Sequence, residues 1–185
     1  MMPNAIGIVE LSSIAAGFQA EDAMLKAADV RVLIARTICP GKFLVIVGGS
    51  VSAVGAALDA AKITAAGHLI ESLNIPNIDG QVFPALSGSV ELPKNFNRAL
   101  GIVETFSATP IIKAADAAVK AADVTLFRVH VSMAVGGKGY FLVNGDTSAV
   151  NAAVNAGVEQ IKESGMLVNK VIIPSASKEL FQEYI

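Results

Sequence analysis

Two tandem α+β units, each running strand–helix–strand–strand–helix–strand, are what this sequence predicts, and three observations predict them. Short segments recur in constant order at a nearly constant offset. Runs rich in Val and Ile alternate with Ala-rich stretches long enough for helices. Gly, Pro, Asn, Asp and Ser punctuate the joins between them.

The recurrence is specific. Ala5-Ile6-Gly7-Ile8-Val9-Glu10 returns as Ala99-Leu100-Gly101-Ile102-Val103-Glu104, an offset of 94. Asp22-Ala23 returns at the same offset as Asp116-Ala117, and Lys26-Ala27-Ala28-Asp29-Val30 as Lys120-Ala121-Ala122-Asp123-Val124. The offset becomes 96 at Gly41-Lys42, matched by Gly137-Lys138, and at Ser52-Ala53-Val54, matched by Ser148-Ala149-Val150. It becomes 98 at Ile75-Pro76 and Ile173-Pro174. Constant order with small drifts is what duplication followed by short loop insertions leaves behind.

In the first copy the pattern predicts a strand over Ala5–Leu11 and a helix over about Phe18–Ala28. Strands near Val30–Ile38 and Phe43–Val47, a helix over about Val51–Ala66 and a strand near Leu69–Ile75 follow. The second copy reads Ala99–Thr105, Pro110–Ala122, Val124–Val131, Tyr140–Val143, Ser148–Glu163 and Leu167–Ile173. Pro110 falls where a first helical turn tolerates proline, and Thr147 or Ser148 can cap the next helix. The order βαββαβ is that of a ferredoxin-like sandwich, an antiparallel sheet with helices on one face. Residues 1–88 are read as the first domain, 89–98 as a linker rich in polar residues, and 99–185 as the second domain.

Composition narrows the classes. Of 185 residues, 53% are hydrophobic and 16% charged, and mean hydropathy is positive. So much apolar surface in so small a chain points to extensive subunit contact. A membrane span is the competing explanation. The longest uncharged stretch, Phe43 to Leu58, is interrupted by Gly48-Gly49-Ser50 and falls short of the roughly 20 apolar residues that cross a bilayer. The start, Met1-Met2-Pro3-Asn4, lacks the pattern of a secretory signal, so a cytoplasmic location is expected. A net charge of −2 without a basic tract gives no support to nucleic-acid binding. A single cysteine, Cys39, excludes an internal disulfide framework.

Several residues invite chemistry, and spacing alone settles few of them. Cys39 reads as a small hydrophobe or as a metal ligand, with no Cys-x-x-Cys or His/Cys cluster to favour the latter. Gly48-Gly49-Ser50 reads first as a turn with a helix cap, and second as an anion cradle. The Gly-Lys pairs are not phosphate loops, since Phe43 and Gly139 stand where Ser or Thr is needed. His68 and His130 lack neighbouring ligand types and receive no catalytic role. Glu10 and Glu104 are matched strand residues, more simply duplicated structure than an acid/base pair. No enzymatic activity is expected.

Gly7-Ile8-Val9-Glu10, then Asp22-Ala23-Met24-Leu25-Lys26-Ala27-Ala28-Asp29-Val30, then the Gly-Lys turn before an apolar strand resemble the bacterial microcompartment shell domain, twice over. Thr37-Ile38-Cys39-Pro40-Gly41-Lys42-Phe43 resembles the tandem-domain, trimer-forming class found in propanediol-utilisation compartments. The resemblance implies a pseudohexameric tile of three chains, packed edge to edge with neighbouring shell proteins around encapsulated enzymes. It implies a central pore lined by Thr37, Ile38, Cys39, Pro40, Gly41 and Lys42 of the first repeat. The second repeat would contribute Met133 to Lys138, including Val135, Gly136, Gly137 and Lys138. It also implies that three Cys39 thiolates, one per chain, hold a [4Fe–4S] cluster with its fourth iron open, serving electron transfer across the shell. Such clusters ordinarily take four thiolates. Lys42 and Lys138 would offset the cluster's negative charge if their ammonium groups pointed inward.

Lys26 and Lys120, near the ends of the first helices, become tile-edge lysines under this resemblance; otherwise they complement a helix dipole. The family commonly carries an arginine after the strand-ending proline, where this chain has Asn77 and Ser175. Two alternatives stay open: a tile whose pore passes small metabolites without a cluster, and a soluble small-molecule-binding or sensor protein.

Overall fold

A computed structural model describes residues 3–92 and 99–182. Residues 93–98, at the end of the segment read as the linker, lie outside the described residues. The chain divides into two compact units, one ending at Ile78 and the other beginning at Asp79.

The first unit contains β1 (Ala5–Leu11), α1 (Ile14–Ala27), β2 (Arg31–Ile38), β3 (Lys42–Gly49), α2 (Val51–Thr64) and β4 (Leu69–Pro76). Its sheet has the order β2-β3-β1-β4 and every pairing is antiparallel. That is the strand order of a ferredoxin-like sandwich, as the sequence predicts. Both helices are Ala-rich, which favours helix and lets them approach the sheet closely. α1 begins four residues earlier than the apolar period suggests. The Ser13 hydroxyl accepts from the Ala16 N–H at 3.3 Å, a cap that starts the helix at Ile14. Ser50 caps α2 in the same way, accepting from the Ala53 N–H at 3.2 Å. Gly48 and Gly49 complete β3 opposite Ile6 and Ala5, so Gly48-Gly49-Ser50 is a strand end and a cap.

The core between sheet and helices joins Val9, Leu11, Phe43, Val45 and Val47 to Ala20 and Met24 of α1 and to Val54, Ala57, Leu58 and Ala61 of α2. Each fully buried Val, Leu, Met or Phe contributes roughly 1.5–3 kcal/mol of transfer free energy. Gly17 lets Phe43 fit: a Cβ there would lie 2.3 Å from the Phe43 ring.

The second unit repeats the plan with β5 (Ala99–Thr105), α4 (Ala108–Ala121), β6 (Val124–Val131), β7 (Gly139–Gly145), α5 (Thr147–Ile161) and β8 (Leu167–Ile173). Its sheet order is β6-β7-β5-β8. Pro110 is the third residue of α4, inside the first turn. The cap of α5 is Asp146, one residue before the Thr147 and Ser148 that the sequence suggests. Both outer strands carry an irregularity at matched places, between Val32 and Ile34 and between Leu126 and Arg128.

Two further helices belong to the second unit: α3 (Val82–Ser87) and α6 (Glu179–Gln182). α3 lies in the stretch before the linker and packs against β6. The Gln81 side-chain oxygen accepts from the Leu126 N–H at 2.9 Å, capping the open edge of the sheet. The Asp79 N–H donates to Asp116 Oδ1 at 2.8 Å. α6 places Phe181 on the sheet face away from α4 and α5, where it joins Leu100, Phe127, Leu142 and Ala176. The Phe127 and Phe181 rings lie 6.0 Å apart. The second unit therefore has its two long helices on one face, as the repeat predicts, and an additional apolar cluster on the other. Among the described residues no helix is long and apolar enough to cross a membrane.

Candidate functional site

Two matched turns carry most of the residues singled out by the sequence, one in each unit. In the first, Ile38 pairs with Lys42, so the turn between β2 and β3 is Cys39, Pro40 and Gly41. Pro40 restricts one end, and Gly41 takes φ +71°, the left-handed region that glycine enters without penalty. Nothing approaches Gly41 within 4 Å of where a Cβ would stand. Thr37, Pro40 and Gly41 are exposed, Ile38 is buried, and Cys39 is a free, half-buried thiol.

The second turn is longer. Ser132 donates its N–H to the Lys138 carbonyl at 3.0 Å, leaving Met133 to Gly137 as the loop. Two residues have been added relative to the first turn, which is where the repeat offset grows from 94 to 96. The added length is taken up by left-handed backbone: φ is +54° at Ser132, +60° at Ala134, +65° at Gly136 and +86° at Gly137. The loop is tied internally, with Ser132 Oγ donating to the Gly137 carbonyl at 2.8 Å and His130 Nε2 to the Met133 carbonyl at 2.7 Å. The His130 ring also stacks on Tyr140 at 5.0 Å, so this histidine is structural. Val135 is half-buried in the middle of the loop, with no residue of the shorter turn directly in its place.

Both lysines that close the turns are ion-paired to the matched strand glutamates. Lys42 Nζ lies 2.7 Å from Glu10 Oε1, and Lys138 Nζ lies 2.9 Å from Glu104 Oε1. The contacts are possible because β1 lies beside β3 and β5 beside β7, which the sequence alone does not say. The burial differs: the side chain of Glu10 is 2% exposed and that of Glu104 33%. Glu10 and Glu104 are thus anchors for the turns. Lys42 and Lys138 are neutralised by glutamates of the neighbouring strands β1 and β5, so they do not act as free cations toward a group at the turn. On β2, burial lowers the Arg36 guanidinium from its ordinary pKa by desolvation, yet an arginine remains charged.

The lysines of the first helices each pair one turn back. Lys26 Nζ lies 2.6 Å from Asp22 Oδ2 with both side chains largely exposed. Lys120 Nζ lies 2.6 Å from Asp116 Oδ2, whose carboxylate is nearly buried and also holds the Asp79 N–H.

As a donor set, one chain supplies a single thiol at an uncrowded turn. Among the described residues no group of three or more His, Cys, Asp or Glu stands ready to hold a metal. Cys39 therefore fits a cluster only as one ligand of a set shared between copies.

Two ferredoxin-like units in tandem, with matched turns, define a repeat-built α+β protein. The chain belongs to the BMC domain family, whose pattern matches residues 5–78 and again 99–176, and it is a shell protein of a bacterial microcompartment, structural and not enzymatic. It is similar to the bacterial microcompartment shell protein PduT of Citrobacter freundii, 47% identical over 184 residues, covering 100% of this chain and 99% of the relative. It is similar in structure to a microcompartment protein from Desulfitobacterium hafniense DCB, with a TM-score of 0.91 and 43% identity, covering 96% of this chain and 98% of the other. A fused permuted hexameric shell protein, MSM0275 from the RMM microcompartment, aligns at a TM-score of 0.61 and 25% identity, covering 85% of this chain and 81% of that one. The shell location agrees with the cytoplasmic microcompartment expected from the sequence.

Proposed function

We propose that three copies of this chain assemble into a pseudohexameric tile whose central pore is lined by the two matched turns, and that three Cys39 thiolates at that pore hold one [4Fe–4S] cluster. One observation carries the reading: the duplication leaves a thiol in one turn of each chain and none in the other, so threefold assembly gathers three sulfurs rather than six. Cysteine thiolates are the ordinary ligands of such clusters, and three leave one iron open. Bound there, the cluster would supply one-electron transfer across the shell.

The chain's own residues do the rest. Pro40 and Gly41 hold Cys39 on a short turn with space around it. The Glu10–Lys42 pair anchors the strand end that carries that turn. The hydrogen-bonded loop from Met133 to Gly137 forms the alternate positions of the rim. Lys26 and Lys120 belong to the same reading as contacts between adjoining tiles. The double variant K26A/K120A is expected to keep its trimers and lose extended sheets in electron micrographs; sheets of unchanged extent remove the edge role.

Anaerobic isolation followed by iron analysis and electron paramagnetic resonance tests the cluster. The expected result is about four irons per trimer and a reducible cluster signal that Cys39→Ser abolishes while the trimer persists. A trimer that binds no iron after reconstitution with iron and sulfide rejects the cluster and leaves a metabolite pore. A monomer rejects the tile itself.

A further inference from the structure

The two outer strands share sequence position and register but differ in what covers them. On β6, Val124, Leu126, Phe127 and Val129 are all buried. Their counterparts at an offset of 94 on β2 (Val30 just before it, then Val32, Leu33 and Ala35) are only half-buried. The cover on β6 is the segment that follows β4: Asp79 donates to Asp116, Gln81 caps the Leu126 N–H, and Val82 is fully buried. The same register turns the Val32 N–H to the open edge of the first sheet, and among the described residues no side chain accepts from it.

The chain contains a second version of that covering segment, after β8. With Ile75-Pro76 matched to Ile173-Pro174, Asp79 corresponds to Ser177, Gln81 to Glu179 and Val82 to Leu180. Leu180 is 42% exposed where Val82 is buried, as expected of a covering residue that has not met its strand. The acceptor for the segment's backbone is present too: Asp22, 61% exposed, matches Asp116. Charge has changed on both sides together. The neutral pair Gln81 and Thr125 is replaced by Glu179 on the segment and Arg31 on the strand, and both of these are exposed.

We infer that the segment from Ser175 to Leu180 of one copy docks on β2 of the first unit of a second copy, with Glu179 beside Arg31 and Val32, and Leu180 against the half-buried strand. This rests on the trimer proposed above and names the contact that closes it: the covering segment after β4 docks on β6 of its own chain, and the one after β8 docks on β2 of a neighbour, a head-to-tail arrangement that closes a ring.

The test is charge exchange in the full-length chain, read by sedimentation and native mass spectrometry, with circular dichroism confirming the fold. Arg31→Glu and Glu179→Arg are each expected to raise the concentration for half-assembly at least about tenfold. The R31E/E179R double variant is expected to return to within about threefold of the original protein. Leu180→Asp, at a position exposed in the single chain, is expected to weaken assembly comparably and carries the test if Glu179→Arg fails to fold. A wild-type trimer indifferent to all of these changes overturns this contact and leaves the tile standing; a wild-type monomer overturns both.

Discussion

The two units reach the same packing by opposite routes at one matched pair of positions. In the first, helix α1 has Gly17 and strand β3 has Phe43, and the ring fills the space above the glycine. In the second, the equivalent helix position is Ile111 and the equivalent strand position is Gly139, where a Cβ would lie 2.7 Å from Ile111 Cγ2. Large and small have changed sides. Because both sites are close-packed, neither member of a pair can change alone. Total volume at the contact, rather than either residue type, is what the fold requires there.

That comparison is broken most severely by moving one half of a pair. Gly17→Ile places a branched side chain against the Phe43 ring and is expected to destabilise the first unit by about 3 kcal/mol or more. Chemical denaturation measures this. Adding Phe43→Gly imports the arrangement of the second unit and is expected to recover most of the loss. A double variant no better than the single one would mean that the surrounding residues, and not the pair, decide the packing.

A smaller effect sharpens the contrast at the turns. Lys42→Met strands the almost fully buried Glu10 carboxylate and is expected to cost about 3 kcal/mol. Lys138→Met removes the partner of a glutamate that is one-third exposed, and is expected to cost under about 1 kcal/mol. Equal losses in urea titrations would show that the two ion pairs share an environment after all.

Much of this architecture is readable from sequence because it is written twice. Each of the twelve repeated elements has a counterpart, and the strand bounds fall within a residue or two of those expected. What escaped depended on neighbours distant in the chain. α3 is a short helix containing Pro84 and ended by Gly88 at φ +68°, so its local signal is that of a loop. Its place comes from Gln81 and Asp79 meeting a strand and a helix far along the chain. Both glutamate–lysine pairs were visible as repeats, but only the strand order shows that Glu10 and Lys42 meet. The length of the second turn was visible as a shift in offset, whereas its left-handed backbone was not.

The exchange of Gly17 and Phe43 for Ile111 and Gly139 also bears on inheritance. A recombination between the two halves of the gene that joined the helix of one to the strand of the other would set Ile against Phe, or glycine against glycine. The first product is overfilled and the second hollow. A crossover falling between the two positions, across the stretch that contains Cys39, is thereby penalised, whereas one that spans both carries a matched pair.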